Sequence, residues 1–194
     1  MQRLRFAISQ LGVPRSSKLP EPLPMLISLD DLPASWKVMD QRRWRTGLTA
    51  TPWSQRARQL GGVTAWRSFE STVEGRWLWT EAIPLASDSD ANDALVEVWA
   101  HTLKNLRAKV RLVGEHEGPQ FTTLGSVNRT IEQTTEGPHG HGVVRLAAWS
   151  HRGVLSALCA SAKQDATSWS ELEVLASKQD RRIDSTLAAA GSDE

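Results

Sequence analysis

Eight short runs rich in β-branched and aromatic residues, several of them set apart by tight-turn chemistry, direct this chain toward an antiparallel sheet. The runs span residues 25–29, 36–39, 64–71, 76–83, 109–113, 126–133, 143–149 and 154–160. Glu74-Gly75, Gly137-Pro138 and Arg152-Gly153 lie between runs that can close as hairpins, and connections this short favour a meander over parallel crossovers. Two stretches change period. Ser87-Asp88-Ser89-Asp90 offers capping oxygens and negative charge to a helix whose apolar face is Leu95, Val98, Trp99, Leu103 and Leu106. Ser168-Trp169-Ser170-Glu171 reads as a capping box, followed by Leu172, Leu175, Ala176 and Ile183 on one side. The pattern predicts an α+β fold in which an antiparallel sheet is flanked by two main amphipathic helices, each covering a sheet face.

A chain of 194 residues with 40% hydrophobic and 23% charged residues can bury one sizeable core. Residues 16–24 alternate proline with other residues and predict an extended connector. The expected organisation is an N-terminal arm and connector over 1–24, one α+β domain over 25–184 and a disordered tail over 185–194. The lone cysteine, Cys159, lies in an apolar run and reads as a small buried hydrophobe, which excludes an intrachain disulfide and fits a reducing compartment. Polar Ser9 and Gln10 interrupt the first apolar residues, so no secretory leader is predicted, and no apolar run approaches the ~20 residues of a membrane span. These readings point to the cytoplasm.

Leu32-Pro33-Ala34-Ser35-Trp36, the run 76–83 ahead of the first helix, and Gly153-Val154-Leu155 leading to Trp169 form a sequence of landmarks. Their order resembles the PsbP-like fold of photosystem accessory proteins, Ran-binding Mog proteins and actinobacterial lipoproteins of the LpqN type. The resemblance covers about residues 25–184. It implies an α/β/α sandwich in a bacterial, actinobacterial setting and a noncatalytic accessory or chaperone-like role in binding a protein. Unlike the exported members, this chain is not expected to carry a lipobox.

Charge is uneven along the chain: residues 1–67 hold 11 Lys and Arg against 4 Asp and Glu, while residues 68–194 hold 12 against 18. Such asymmetry marks either two complementary faces that meet inside one fold or a surface turned to an anion. The candidate partner-binding residues are Arg42, Arg43, Trp44, Arg45, Trp53, Arg56 and Arg58, where guanidinium groups alternate with indoles. Arginine forks carboxylate or phosphate and tryptophan supplies a stacking plane. A protein partner is the leading expectation, with anion or nucleic-acid binding through the same residues as the second. A small-molecule or lipid-binding sensor with an apolar pocket between sheet and helix is the third.

No cofactor or metal is expected. His139 and His141 sit on a glycine turn with only His116 and Glu115 as further candidates, fewer ligands than a metal site uses. No serine stands in a nucleophile elbow, and Gly61-Gly62 precedes a strand, whereas a phosphate loop follows one. The sequence has nine tryptophans and no tyrosine. Trp66, Trp77, Trp79, Trp99, Trp149 and Trp169 are predicted to build the core with Phe69, while Trp36, Trp44 and Trp53 are predicted to be surface groups.

Overall fold

Two meanders, one from each half of the chain, meet in a single seven-stranded antiparallel sheet in the computed structural model, which describes residues 18–46, 51–72, 75–109, 111–124, 127–137, 140–162 and 167–192. The chain opens with two 3-10 turns, Leu23–Met25 and Leu29–Asp31, and continues through β1 (Trp36–Arg45), α1 (Pro52–Gln59), β2 (Val63–Ser71) and β3 (Trp77–Pro84). Helix α2 (Asp88–Lys109) leads to β4 (Arg111–Glu117), β5 (Val127–Gly137), β6 (Gly140–His151) and β7 (Val154–Ala162), and α3 (Trp169–Ser192) closes the chain. The strand order is β1-β2-β3-β7-β6-β5-β4, so α2 carries the chain from the centre to the far edge and the second meander returns to pair β7 with β3. This is the predicted fold class.

Alternation along β3 shows which helix covers which face. Leu78, Thr80 and Ala82 turn toward α3, whereas Trp77, Trp79 and Ile83 turn toward α2. Phe69, Leu78, Trp149 and Leu158 pack under Leu172, Leu175 and Ala176 of α3. Ile83, Ala148, Leu155 and Ala157 pack under Ala91, Ala94 and Leu95 of α2. Each fully buried leucine contributes about 2 kcal/mol, so the two faces together supply the main driving force. Buried Gln179 fixes α3 to the sheet: its carbonyl oxygen accepts from Thr80 at 2.6 Å and its amide donates to the Glu81 carbonyl at 2.9 Å.

Both helices begin as their sequences indicate. The Ser87 hydroxyl accepts from the Asp90 amide at 3.1 Å. Ser168 and Glu171 satisfy each other's amides at 2.7 and 3.2 Å, and the Ser168 amide holds the Glu171 carboxyl below its usual range. Between β6 and β7, Arg152 and Gly153 both take positive φ, +48° and +76°, as a two-residue primed turn requires.

Three expectations need correction. Residues 25–29 form no strand: Met25, Leu26 and Ile27 are all fully buried, which a strand with one solvent face cannot achieve, and a Ser28–Asp31 capping box turns the chain at once. The connector is not extended over all of its described part, since Leu23 and Pro24 fall in the first 3-10 turn after a buried Pro22, while Leu19 bonds the Leu60 carbonyl and packs near α1. The tail reading fails for residues 185–192, because α3 runs on to Ser192, carried by the strong helix formers Leu187-Ala188-Ala189-Ala190. The arm over residues 1–17 lies outside the described residues. Among the described residues, no helix is long and apolar enough to cross a membrane.

Candidate protein-binding edge

Strand β1 is one edge of the sheet, and it carries four of the seven candidate residues: Arg42, Arg43, Trp44 and Arg45. Its pairing with β2 sets their directions. Arg43 stands opposite Ala65 and Arg45 opposite Val63, on the α3 face; Arg42 stands opposite Trp66 and Trp44 opposite Thr64, on the α2 face. A bulge between Val38 and Asp40 inserts Met39, so Trp36 and Val38 keep to the α3 face with Phe69 and Ser71 as partners. Neither helix covers this strand, and seven of its ten residues are exposed. β1 has a sheet neighbour on one side only, so half of its backbone donors and acceptors face outward.

The arginines divide by their surroundings. Arg42 bonds Asp40 at 2.7 Å along its own strand, and Arg43 reaches Glu21 at 2.5 Å; both arginine side chains are at least half in solvent and both carboxylates are partly exposed. Ion pairs of that kind are worth about 0–1 kcal/mol and exchange readily for another carboxylate. Arg45 is exposed and has no ion pair among the described residues. Arg67, behind the strand, is structural: it donates to Gln41 at 2.7 Å and to the Ile27 carbonyl at 2.6 Å, and burial lowers its pKa.

Trp53, Arg56 and Arg58 do not join this edge; they lie on α1, a helix the sequence reading missed although Thr51-Pro52 is a serviceable start signal. Trp53 is only 6% exposed, packs with Ile83, Leu85 and Ala91, and donates to Glu97 at 2.9 Å, so its expected surface role is replaced by one in the core. Arg56 bonds the buried carboxylate of Asp90 through both Nε and Nη2, fastening α1 to the start of α2. That pair also joins the basic front of the chain to its acidic remainder. Arg58 is exposed. Gly61 takes a φ of +72° to end α1, and a side chain on Gly62 would strike the Ala57 carbonyl, so this glycine pair is a helix stop.

One concavity accompanies this edge and another lies at the far edge of the sheet. A groove of about 320 Å³ runs between the first turns of α3 and the approach to β1, floored by Leu32, Pro33, Trp36, Leu78, Val174 and Leu175. Its charged rim is engaged: Lys178 donates to the Asp31 carbonyl at 2.7 Å and Arg182 pairs with the Asp31 carboxylate at 2.7 Å. A more polar cleft of about 570 Å³ lies beyond α2, with Trp99, Leu103, Glu115, Glu117 and Arg129 among its walls.

The metal candidates do not converge. Glu115 faces Gln133, which bonds it at 2.7 Å, while His116 stands next along β4 on the opposite face, 3.2 Å from Glu132. His141 is exposed and His139 lies outside the described residues. No group of three or more His, Cys, Asp or Glu able to hold a metal occurs among the described residues. Burial pushes the Cys159 thiol up to about 12, against a weaker opposing hydrogen bond from Trp79. Cys159 should therefore stay unmodified by an aromatic disulfide reagent at pH 8 until denaturant is added, and stoichiometric labelling of the native protein would contradict this placement.

No family model matches the chain, and no curated protein matches it. The fold itself has a counterpart. The extracellular domain of PknH from Mycobacterium tuberculosis superposes with a TM-score of 0.52 at 11% identity, covering 82% of this chain and 93% of that one. At that identity the likeness extends to the fold alone.

Proposed function

We propose that this chain is a noncatalytic binding domain that engages a protein partner along β1. The observation that carries the reading is the coincidence of Arg42, Arg43, Trp44 and Arg45 with a ten-residue edge strand that no helix covers. An edge strand offers donors and acceptors in alternation, which an extended peptide matches by adding a strand, and the side chains then select the sequence. Arginine and tryptophan are also the side chains that most often anchor interfaces. A nucleic-acid backbone, rich in acceptors, could use the arginines but not the outward carbonyls. The order of strands, long helix, meander and closing helix also supports the likeness to PsbP-like accessory domains.

The test is affinity capture from the native host with mass spectrometry, comparing the natural chain with Arg43→Glu combined with Arg45→Glu. Both side chains are solvent-facing, so the fold is retained, as circular dichroism checks. The double variant should lose one defined prey protein by about tenfold or more, the scale of 1.4 kcal/mol or greater. Unchanged prey would remove β1 from the interface. Recovery of nucleic acid whose binding falls steeply with salt would transfer the arginines to the second reading.

The groove of about 320 Å³ favours the small-molecule reading as a distinct alternative, since it reaches the lower bound of ligand pockets at roughly 300 Å³. Native mass spectrometry showing a stoichiometric bound lipid or metabolite would support it.

A further inference from the structure

β1 is not uniform along its length. Its second half presents Arg42, Arg43 and Arg45; its first half presents apolar groups, with Val38 42% exposed and Met39 53% exposed. Leu29, 44% exposed, stands on the 3-10 turn that contacts the strand. Half of the six exposed large hydrophobic residues among the described residues thus gather at this one end of one strand. Trp36 begins the strand on the same face as Val38 and is also a wall of the apolar groove with Leu32 and Pro33. The Met39 bulge separates the apolar half from the basic half.

We infer, on the basis of the reading above, that the segment added to β1 is a bipartite extended peptide of the partner protein. One half is apolar and lies against Trp36, Val38 and Met39, and the other half is acidic and faces Arg42, Arg43 and Arg45. Charge complementarity selects this occupant over a second copy of the chain. Two β1 strands side by side would bring Lys37, Arg42, Arg43 and Arg45 together twice, with Asp40 as the only acid on each. An acidic segment instead replaces the exchangeable partners Asp40 and Glu21 and meets the charge of Arg45. Added strands lie about 4.8 Å from their neighbour, so alternate apolar side chains of the segment fall beside Trp36 and at the mouth of its groove.

The probes are four fluorescent ten-residue peptides titrated against the full chain by anisotropy. Two join a valine-threonine half to a glutamate-threonine half, one in each order; one is glutamate-threonine throughout and one valine-threonine throughout. One of the two bipartite orders should bind about tenfold tighter than the other three peptides, because strand addition has a single direction. Met39→Asp should weaken that peptide severalfold and leave the all-acidic peptide unchanged, while Arg43→Glu should weaken both. N-methylation of alternate amides on one edge of the bipartite peptide should abolish its binding. Equal affinity for both orders, or insensitivity to Met39→Asp with sensitivity to Arg43→Glu retained, would overturn the bipartite segment and leave the β1 interface standing. Binding of no peptide, together with unchanged prey in the double arginine variant, would overturn both. An oligonucleotide that outcompetes every peptide would do the same.

Discussion

Replacing Trp149 with alanine should lower stability by about 3–5 kcal/mol, the usual range for deleting a buried large aromatic. That is a large part of the roughly 5–15 kcal/mol that holds a domain folded. Trp149 lies on β6, is fully buried, and touches the Phe69, Leu158 and Leu172 cluster, so the cavity is bounded by both sheet and helix and has little freedom to collapse. Its indole nitrogen donates to the Asp180 carboxylate of α3 at 2.7 Å. Phenylalanine at the same position separates the two contributions. It keeps most of the apolar volume but removes a hydrogen bond to a charged acceptor, at a loss of about 1–3 kcal/mol. Burial already raises the Asp180 pKa and the indole opposes that rise, so Trp149→Phe raises it further. A carboxyl whose folded pKa lies above its unfolded one destabilises the fold only where it is ionised. The deficit of Trp149→Phe should therefore be full near neutral pH and shrink as acid protonates Asp180 in both proteins. Urea midpoints at several pH values measure this, and a deficit independent of pH would remove the Asp180 contact from the account.

The sheet was legible because period-two patterning and turn residues agreed along most of the chain. Arg152-Gly153 and the Ser168–Glu171 box both rest on local chemistry, and each stands where the sequence places it. The misreadings arise where tertiary packing outweighs a local pattern. Residues 25–29 look like a strand because Met25, Leu26 and Ile27 are apolar in succession, yet that run fills the gap between α3 and the sheet. Only Pro24 and the Ser28–Asp31 pair hinted at the turns around it.

The candidate edge was half legible. Alternating arginine and tryptophan marked residues 42–45, but periodicity ended β1 at Met39, because the bulge there breaks the alternation and the arginines beyond it resemble a loop. The same signal overreached at Trp53 and Arg56. Their partners, Glu97 and Asp90, lie more than thirty residues away on α2, a separation no local pattern encodes. The apolar start of β1 was visible as Val38 and Met39, but its exposure follows from strand order, which places β1 outermost.

Glu81→Gln should stabilise the protein at pH 8 and leave it nearly unchanged at pH 4. Glu81 stands on β3 with Trp66 and Ala157 beside it, turned toward α2 into a crevice lined by Ile83, Val98, Trp99, Thr102, Leu146 and Ala148. Among the described residues its carboxylate makes no ion pair or hydrogen bond, and desolvation alone pushes its pKa from 4.5 up to about 7. Below pH 4.5 the carboxyl is protonated in folded and unfolded chains alike and contributes nothing to pH dependence. Between 4.5 and 7 the unfolded chain gives up the proton while the folded one keeps it, so stability falls as pH rises; above 7 both are ionised and the full deficit remains. At about 1.4 kcal/mol per pKa unit the shift corresponds to about 3.5 kcal/mol, and because Glu81 keeps part of its surface in solvent the deficit is of order 2–3 kcal/mol. Glutamine removes the charge and most of that deficit, which corresponds to a gain of roughly 5–10 °C in melting temperature at pH 8 for a domain of this size. A variant whose advantage is the same at pH 5 and pH 8 would show that Glu81 does not ionise against a buried wall. The crevice is then open to water, and α2 sits less closely on the sheet than its contacts with Ile83 and Ala157 imply.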